Sequence, residues 1–259
     1  MLVVVVLLGV SALLLMGIAL VYGTSGTTSL PTIGMLPHPG ADGAGSPTGD
    51  PMFLIGFWFI AAGLAFKIAA VPFHFWAPDA YEGAPTPTTA FMSVVVKTAA
   101  FAVFVRVLLV GFGDELSASA NGWPAIVSAL AAITMVYGNL AAVGQTSVKR
   151  MLAYSSIAHA GYLLLGLAAV AKVPTEATSG ILYYLAAYTV SNGLVLGALI
   201  WAGSNGKEAT SYADLAGLGR RHPAIGVAFI VGILSLMGFP PTAGFFGRWY
   251  VLSAAVQAD

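Results

Sequence analysis

Five side chains of this chain could take part in proton transfer: Lys67, His74, Lys97, His159 and Arg248. A lysine removed from water can take up and release a proton near neutral pH, and histidine titrates near pH 6.5 through either ring nitrogen. Arginine stays protonated because its pKa lies above about 12, so Arg248 is at most a fixed charge. These residue types predict a proton relay if the elements that carry them lie in an apolar medium.

The composition predicts that this medium is a membrane. Hydrophobic residues make up 58% of the 259 residues and charged residues only 8%, against about 25% charged residues in soluble domains. The net charge is zero and there is no cysteine. Nothing therefore favours a nucleic-acid partner. Disulfides, thiolate chemistry and Cys-ligated iron–sulfur clusters are excluded within this chain.

We expect an all-α integral membrane protein of about seven transmembrane helices, because a span needs roughly 20 apolar residues. The candidate spans, which form one polytopic domain over 1–259, are 2–22, 53–75, 87–111, 123–143, 152–171, 181–202 and 224–257. The first lacks the basic n-region of a signal peptide, and its apolar run from Met1 predicts a chain that begins inside a larger protein. Residues 24–52 are rich in Gly, Pro, Ser and Thr and are predicted to form an irregular, non-cytoplasmic loop.

The distribution of charge predicts the orientation of the spans. Loops 144–150 and 203–223 carry the basic residues Lys149, Arg150, Lys207, Arg220 and Arg221. The loops on the other side carry the acids Asp42, Asp50, Asp114, Glu115 and Glu176, with Lys172 as their one basic residue. By the positive-inside rule the first group of loops is cytoplasmic.

Proline predicts a break in two of the spans. The span 53–75 runs into Pro72 and Pro78, and the span 224–257 contains Pro240 and Pro241. Proline removes a backbone donor and clashes with the preceding turn, and irregular backbone at membrane depth persists only where protein or water satisfies it. Paired broken helices are typical of ion pathways in transporters. The alternative for either site is a kink that serves packing alone.

Four basic residues and no acid lie within the predicted spans: Lys67, Lys97, Arg106 and Arg248. A central charge costs about 2.5–3.5 kcal/mol on insertion scales, which favours a functional role. The alternative is that the side chain reaches the headgroups. Lys67 lies nine residues before Trp76, roughly 14 Å along a helix, which is too far, and Lys97 is at similar depth. Arg106 is close enough to a span end to reach the interface, and Arg248 is either a pathway group or an anchor.

The histidines could connect the two lysines. His74 stands beside the first break, seven residues after Lys67, and would share a helix face with it if the helix persisted that far. His159 lies within a span, near the hydroxyls of Ser155, Ser156 and Tyr162. We interpret His159 as a relay group, the alternative being a hydrogen-bonded core residue.

Three segments of the sequence resemble a known family. The stretch 66–85, continuing to Lys97, resembles the antiporter-like membrane subunits of the proton-pumping NADH:quinone oxidoreductase, respiratory complex I. The stretch 138–162 resembles subunit N in particular, and 234–248 is similar to the later broken helix of these subunits. The resemblance implies part of a 14-helix fold with two inverted five-helix repeats, each with one broken helix.

The resemblance also implies roles for single residues. Lys67 is similar to the lysine of the first broken helix, which is normally paired with a glutamate on an earlier helix, and Lys97 to the central-axis lysine of the next helix. His159 is similar to a polar group that continues this axis. Arg248 stands where many relatives have a lysine near the exit. Two departures follow: the partner glutamate is absent, which suggests a truncated chain, and an arginine cannot release its proton.

We therefore expect a proton-translocating membrane-arm subunit of a prokaryotic plasma membrane, driven by quinone reduction elsewhere in the complex. The resemblance implies that the chain itself holds no cofactor or metal. NADH, FMN, the quinone and the iron–sulfur clusters would belong to partner subunits. One alternative is a subunit of a multi-subunit cation/proton antiporter. Another is a non-conducting scaffold of the membrane arm.

Overall fold

The computed structural model describes residues 2–36, 50–112, 122–203 and 208–258, with side chains from residue 9 onwards. Within these ranges every regular element is a helix, and the one β-type pairing is an isolated bridge between Ser147 and Ser211. The predicted all-α class is confirmed. The helices are α1 (Leu2–Ser25), α2 (Leu30–Gly34), α3 (Pro51–Lys67), α4 (Trp76–Gly83), α5 (Thr86–Gly111), α6 (Trp123–Val143), α7 (Val148–Ala169), α8 (Pro174–Ala202), α9 (Leu218–Arg221), α10 (Pro223–Met237) and α11 (Ala243–Gln257).

Four of these helices, α5 to α8, are long and apolar enough to cross a membrane. Shorter apolar helices cover Gly9–Ser25, Pro51–Lys67 and Pro223–Met237. The multi-pass membrane class is therefore supported directly, and the total of seven passes stays a prediction. In α5 the segments Met92–Val96 and Val107–Gly111 have π-helical hydrogen bonding.

The first predicted break is confirmed between α3 and α4. Helix α3 ends at Lys67, and the chain turns through Ala69, which has a φ of +60°. The carbonyl of Phe66 accepts a hydrogen bond from the Trp76 indole nitrogen at 3.0 Å, so the broken backbone is satisfied by a side chain. Because α3 stops at Lys67, the condition under which Lys67 and His74 would share a helix face is not met.

The second predicted break is confirmed between α10 and α11. Gly238 follows α10 with a φ of +75°, a left-handed conformation that glycine adopts without a Cβ clash. Its amide donates to the Ser235 carbonyl at 3.0 Å, and the amide of Phe239 donates to the Leu234 carbonyl at 3.0 Å. These bonds cap the C-terminal end of α10, and Pro240 and Pro241 then prevent its continuation.

Helices extend into all three segments that we predicted to be loops, and in 203–223 this is the short helix α9. Helix α7 begins at Val148 rather than 152, since the hydroxyl of Ser147 accepts a bond from the Arg150 amide at 3.4 Å and caps the helix. Lys149 and Arg150 therefore lie in a helix, not in a loop. The predicted loop 24–52 likewise contains the short helix α2. Other predictions fall on residues outside the described ranges, namely those for Asp42, Asp114, Glu115 and Lys207.

Helix α7 forms the centre of the described chain. It packs against α4, α6, α8 and α11, and most of its side chains from Val148 to Ala169 are buried. Helix α5 packs against α8, α2, α3 and α4. Because α8 contacts both, residues on α5, α7 and α8 can meet in the interior.

Candidate functional site

Lys97 is enclosed within the described chain. It follows the π-helical segment Met92–Val96, and π segments within helices are frequent at functional sites. The residue is 3% exposed, and its Nζ donates to the Ser156 carbonyl at 2.8 Å and to the Ser156 hydroxyl at 2.5 Å. The ammonium group thus meets neutral oxygens of α7 rather than a carboxylate.

His159 lies next to Ser156 on α7 and extends the group of buried polar side chains that begins at Lys97. It lies one turn after Ser156 and is 4% exposed. Its Nδ1 and the Tyr184 hydroxyl are 2.6 Å apart, and its ring centroid lies 5.1 Å from that of Tyr188. His159 thus has partners on α8 as well as α7, and this geometry fits both the relay role and the alternative of a hydrogen-bonded core residue.

A second set of hydrogen bonds leads from Tyr188 on α8 through Asn192 to Ser93 on α5. The amide nitrogen of Asn192 donates to the Tyr188 hydroxyl at 3.0 Å and to the Ser93 hydroxyl at 2.9 Å. Ser93 is one turn before Lys97, so both ends of this set of bonds lie beside the lysine. The sequence interpretation did not select these α8 residues. The signal was present, because Tyr184, Tyr188 and Asn192 recur every four residues and so share one face of an apolar helix.

Arg248 joins α11 to the end of α10. Its guanidinium nitrogens donate to the carbonyls of Leu236 and of Met237, the latter at 2.7 Å. The guanidinium carbon lies 4.8 Å from the centre of the Tyr162 ring, within the range of a cation–π contact. A cation at a helix C-terminus is favourable, so these contacts stabilise the break between α10 and α11, and the choice between a pathway group and an interfacial anchor stays open.

A cavity brings Arg248 and His159 to the same space. It has a volume of about 410 Å³ and is lined by both residues, together with Tyr162, Ser155 and Asn139 among others. The lining is mostly apolar, but it includes these polar groups, and the volume is large enough for several water molecules beside them. The arrangement can therefore connect the imidazole of His159 to water without moving a helix.

The other two candidate residues lie elsewhere. Lys67 is exposed on the surface of this chain, at the end of α3, and its expected position in a low-dielectric interior stays a prediction. His74 is 4% exposed and packs edge-on against Tyr137, with ring centroids 4.5 Å apart. Among the described residues His74 Nδ1 has no hydrogen-bond partner. Arg106 is also exposed.

A second group of charges, which we call the α7 charge cluster, was not predicted. It consists of Asp79, Glu82, Lys149, Arg150 and Glu208. Lys149 is 1% exposed and its Nζ donates to Glu208 at 2.8 Å, while Arg150 Nη1 lies 2.9 Å from Glu82 and 3.0 Å from Asp79. The expectation that Lys149 is a solvated loop residue is wrong. The sequence signal for its burial was weak, because its acid lies 59 positions away.

The two glutamates of this cluster have perturbed acidities. The hydrogen bond from Lys149 is the main reason that the pKa of Glu208 is lowered, and the backbone amide of Thr86 adds to it. The hydrogen bond from Arg150 similarly lowers the pKa of Glu82. Both carboxyls are therefore ionised at neutral pH. In the described ranges no three His, Asp or Glu residues come close enough to hold a metal ion.

Comparison with known proteins gives relatives over nearly the whole chain. The family model described as NADH:quinone oxidoreductase/Mrp antiporter, TM, matches residues 1–259. NADH-quinone oxidoreductase subunit N 1 of Sorangium cellulosum is 55% identical over 250 residues, which cover 96% of this chain and 49% of that protein. Subunit N of Rhodospirillum rubrum is 45% identical, with 96% and 48% covered. The chain spans about half the length of these relatives.

Solved structures give the same fold. A chain in the structure of respiratory complex I from Thermus thermophilus with bound aureothin has a TM-score of 0.76 and 37% identity, with 98% of this chain and 51% of that chain covered. A chain of the Mrp complex from Dietzia sp. DQ12-45-1b has a TM-score of 0.84 and 26% identity, with 98% and 44% covered. With broken helices, a buried lysine and these matches together, the chain belongs to the NADH:quinone oxidoreductase/Mrp antiporter transmembrane family.

Proposed function

We propose that this chain is part of a proton-translocating subunit N in the membrane arm of an NADH:quinone oxidoreductase, in the plasma membrane of a prokaryote. The observation that carries the proposal is the burial of Lys97 against the neutral oxygens of Ser156, next to the His159–Tyr184 pair. A buried charge without a carboxylate is costly. The site is therefore suited to a group that changes its protonation state during turnover.

The chemistry is a set of proton transfers. A proton leaving Lys97 Nζ enters the Ser156 hydroxyl, which releases its own hydrogen to water. His159 takes a proton at one ring nitrogen while the Tyr184 hydroxyl, 2.6 Å from Nδ1, orients the ring. Water in the cavity of about 410 Å³ receives the proton, and no bond other than those to hydrogen is broken.

The remaining candidate residues take supporting roles in this proposal. Lys67, at the end of α3, presents its ammonium group on a face that an acidic residue of the wider assembly would cover. His74, buried in the break with a free Nδ1 among the described residues, provides a site for transfer from Lys67. Arg248 holds α10 and α11 together as a fixed cation beside His159, and so favours release of the histidine proton.

The redox chemistry would reside in partners. We propose that quinone reduction, NADH oxidation, FMN and the iron–sulfur clusters belong to other subunits of the complex, and that other membrane-arm subunits and the lipid bilayer surround this chain. The names of its relatives support this assignment. Identities of 55% and 45% to subunit N proteins, against 26% to the Mrp chain, favour it over a cation/proton antiporter subunit, although the fold is common to both.

Replacing Lys97 tests the proposal. In the full-length chain within the assembled complex, Lys97→Ala should lower proton translocation per electron by at least about tenfold, since a positioned acid–base group contributes about 10²–10⁴-fold. The measurement is proton uptake and quinone reduction in proteoliposomes. Lys97→Arg keeps the charge but cannot release a proton, and should fail equally.

The matched control is Val95→Ala, on the exposed side of the same π segment, which should leave the proton-to-electron ratio unchanged. An unaltered ratio in assembled Lys97→Ala would contradict the proposal and support a scaffold. Full activity of Lys97→Arg would instead identify Lys97 as a fixed charge. Co-purification with flavin and cluster-bearing subunits distinguishes the oxidoreductase from an antiporter.

A further inference from the structure

A closed ring of hydrogen bonds joins the first turn of α5 to the first turn of α7. The carboxylate of Glu208 accepts from the Thr86 backbone amide at 2.7 Å through Oε1 and from Lys149 Nζ at 2.8 Å through Oε2. Lys149 Nζ donates as well to the Ala84 carbonyl at 2.6 Å. Thr86 and Ala84 flank the N-cap residue of α5, so both arms of the ring end on the start of that helix.

Helices α5 and α7 share packing neighbours within the described ranges. Helix α5 packs on α8, α2, α3 and α4, whereas α7 packs on α4, α6, α8 and α11. Of the polar contacts that also link α5 to α7, two bear on the position of Lys97. One is the bond between Lys97 and Ser156 itself, and the other is the ring at Glu208.

The ring and the site are aligned along α7. Lys149 and Ser156 are seven residues apart, about 10 Å along one face of the helix. Both are buried; Ser156 contacts Lys97 of α5, and Lys149 contacts Ala84, two residues before α5 begins. A shift of α5 at its first turn would therefore be passed along this helix to the contact at Lys97, which lies eleven residues, about three turns, after Thr86.

We propose that Glu208 is a positioning residue that sets the Lys97–Ser156 contact from outside the membrane segment. Its two oxygens need two different partners: one fixes the backbone of α5, and the other neutralises the buried Lys149 on α7. No other carboxylate of the α7 charge cluster does this, since Asp79 and Glu82 pair with Arg150 and belong to α4. Its segment is itself fixed beside α7 by the Thr210 carbonyl, which accepts from the Val148 amide at 2.9 Å.

Glu208→Gln and Glu82→Gln form a matched pair of variants. The two glutamate side chains are each 39% exposed and each pairs with a neighbouring basic residue of α7, but only Glu208 contacts α5. An amide oxygen at 208 can still accept from Thr86, so the variant removes mainly the charge that Lys149 requires. The variants are made in the full-length chain and studied in the assembled complex.

Two measured quantities, the Lys97–Ser156 separation and proton translocation per electron, should change in Glu208→Gln and stay unchanged in Glu82→Gln. In cryo-electron microscopy the Lys97 Nζ–Ser156 Oγ separation should exceed hydrogen-bonding distance. Proton translocation per electron should fall by about tenfold, since a misplacement of about 1 Å can cost up to 10²-fold. The effect should also be non-additive with Ser156→Ala, because coupled residues share one loss, whereas Glu82→Gln should combine with Ser156→Ala additively.

The two readouts separate this inference from the proposed function, on which only the pumping measurement rests. An unchanged Lys97–Ser156 separation in Glu208→Gln would overturn the positioning role whatever the pumping rate. A changed separation with unchanged pumping would keep the positioning role and count against the proposed function. Reduced assembly with an intact contact and ratio, which a purely structural role predicts, would also overturn the inference.

Discussion

Within the described ranges two lysines are buried, and their surroundings differ in one respect. Lys97 and Lys149 are 3% and 1% exposed, each donates to a backbone carbonyl, and each has its side-chain partner 59 positions later in the chain. For Lys149 this partner is the carboxylate of Glu208, and for Lys97 it is the hydroxyl of Ser156. Burial is thus common to the two sites, and the counter-ion is not.

The presence or absence of a carboxylate partner indicates which buried lysine can carry a proton. A carboxylate offsets the cost of burying an ammonium group, and removing it leaves a strongly destabilised charge. Lys149 therefore connects separate segments of the chain as one half of an ion pair. Neutral oxygens hydrogen-bond an ammonium without cancelling its charge, so Lys97 is the residue for which the neutral form is accessible.

A carboxylate placed beside Lys97 should make its surroundings like those of Lys149. Of the changes considered, this one should have the largest effect on proton translocation. In Ser156→Asp we expect the new carboxylate to hold Lys97 as a cation, so that proton translocation per electron falls by about tenfold or more. The pH profile of the remaining activity should move to higher pH, because more base is needed to remove the proton. Proteoliposome assays between pH 6 and 9 measure both quantities.

Ser155→Asp is the matched control, since Ser155 is the neighbouring residue and lines the cavity. It adds the same charge without replacing the group that accepts from Lys97. If Ser155→Asp moved the pH profile as far as Ser156→Asp, the contact partner of Lys97 would not be what decides its behaviour. Unchanged pumping in Ser156→Asp would contradict the comparison itself.

Removing one hydroxyl from the uncharged hydrogen-bonded groups around His159 should have a smaller effect on proton translocation. Tyr184→Phe removes the hydroxyl 2.6 Å from His159 Nδ1 while keeping the ring, and we expect a several-fold loss of pumping, on the scale of about 1 kcal/mol for a hydrogen bond. Tyr183→Phe, at the exposed neighbouring position on α8, should be without effect. Equal losses in both variants would assign the effect to α8 packing rather than to the imidazole.

Lowering the pH should reduce the stability that the α7 charge cluster contributes, and this is the smallest of the expected effects. The pKa of Glu208 and that of Glu82 are lowered from an ordinary value of 4.5 by their basic partners. The stability they add is therefore complete above this ordinary value and is lost as the pH falls through the lowered values. Partial exposure screens both pairs, so the effect is modest.

Thermal melting of the complex against pH measures this loss. The melting temperature should be insensitive to these two groups between pH 6 and 8 and should decline below about pH 4.5. In Glu208→Gln the part of the decline that belongs to Glu208 should disappear, because the variant has no carboxyl to protonate. A decline of the same size in wild type and variant would show that other groups dominate the acid response.

The broken helices were predictable from sequence because their cause is local. Proline cannot donate a backbone hydrogen bond, so Pro72 and Pro240 predict interruptions wherever the chain folds. The start of α7 was missed by four residues, because its cap at Ser147 lies outside the apolar run. The depth of Lys67 was also estimated from position along a helix, and that helix ends at the lysine.

The sequence by itself determined the membrane class, the breaks and the residue types able to exchange protons, since hydropathy and backbone chemistry are properties of neighbouring residues. Only the tertiary structure decided which of these residues meet. It enclosed Lys97 and left Lys67 on the surface, and it brought Glu208 to one lysine and Ser156 to the other. The physical reason is that a charge is set by its surroundings in space, and these come from helices far apart in the chain.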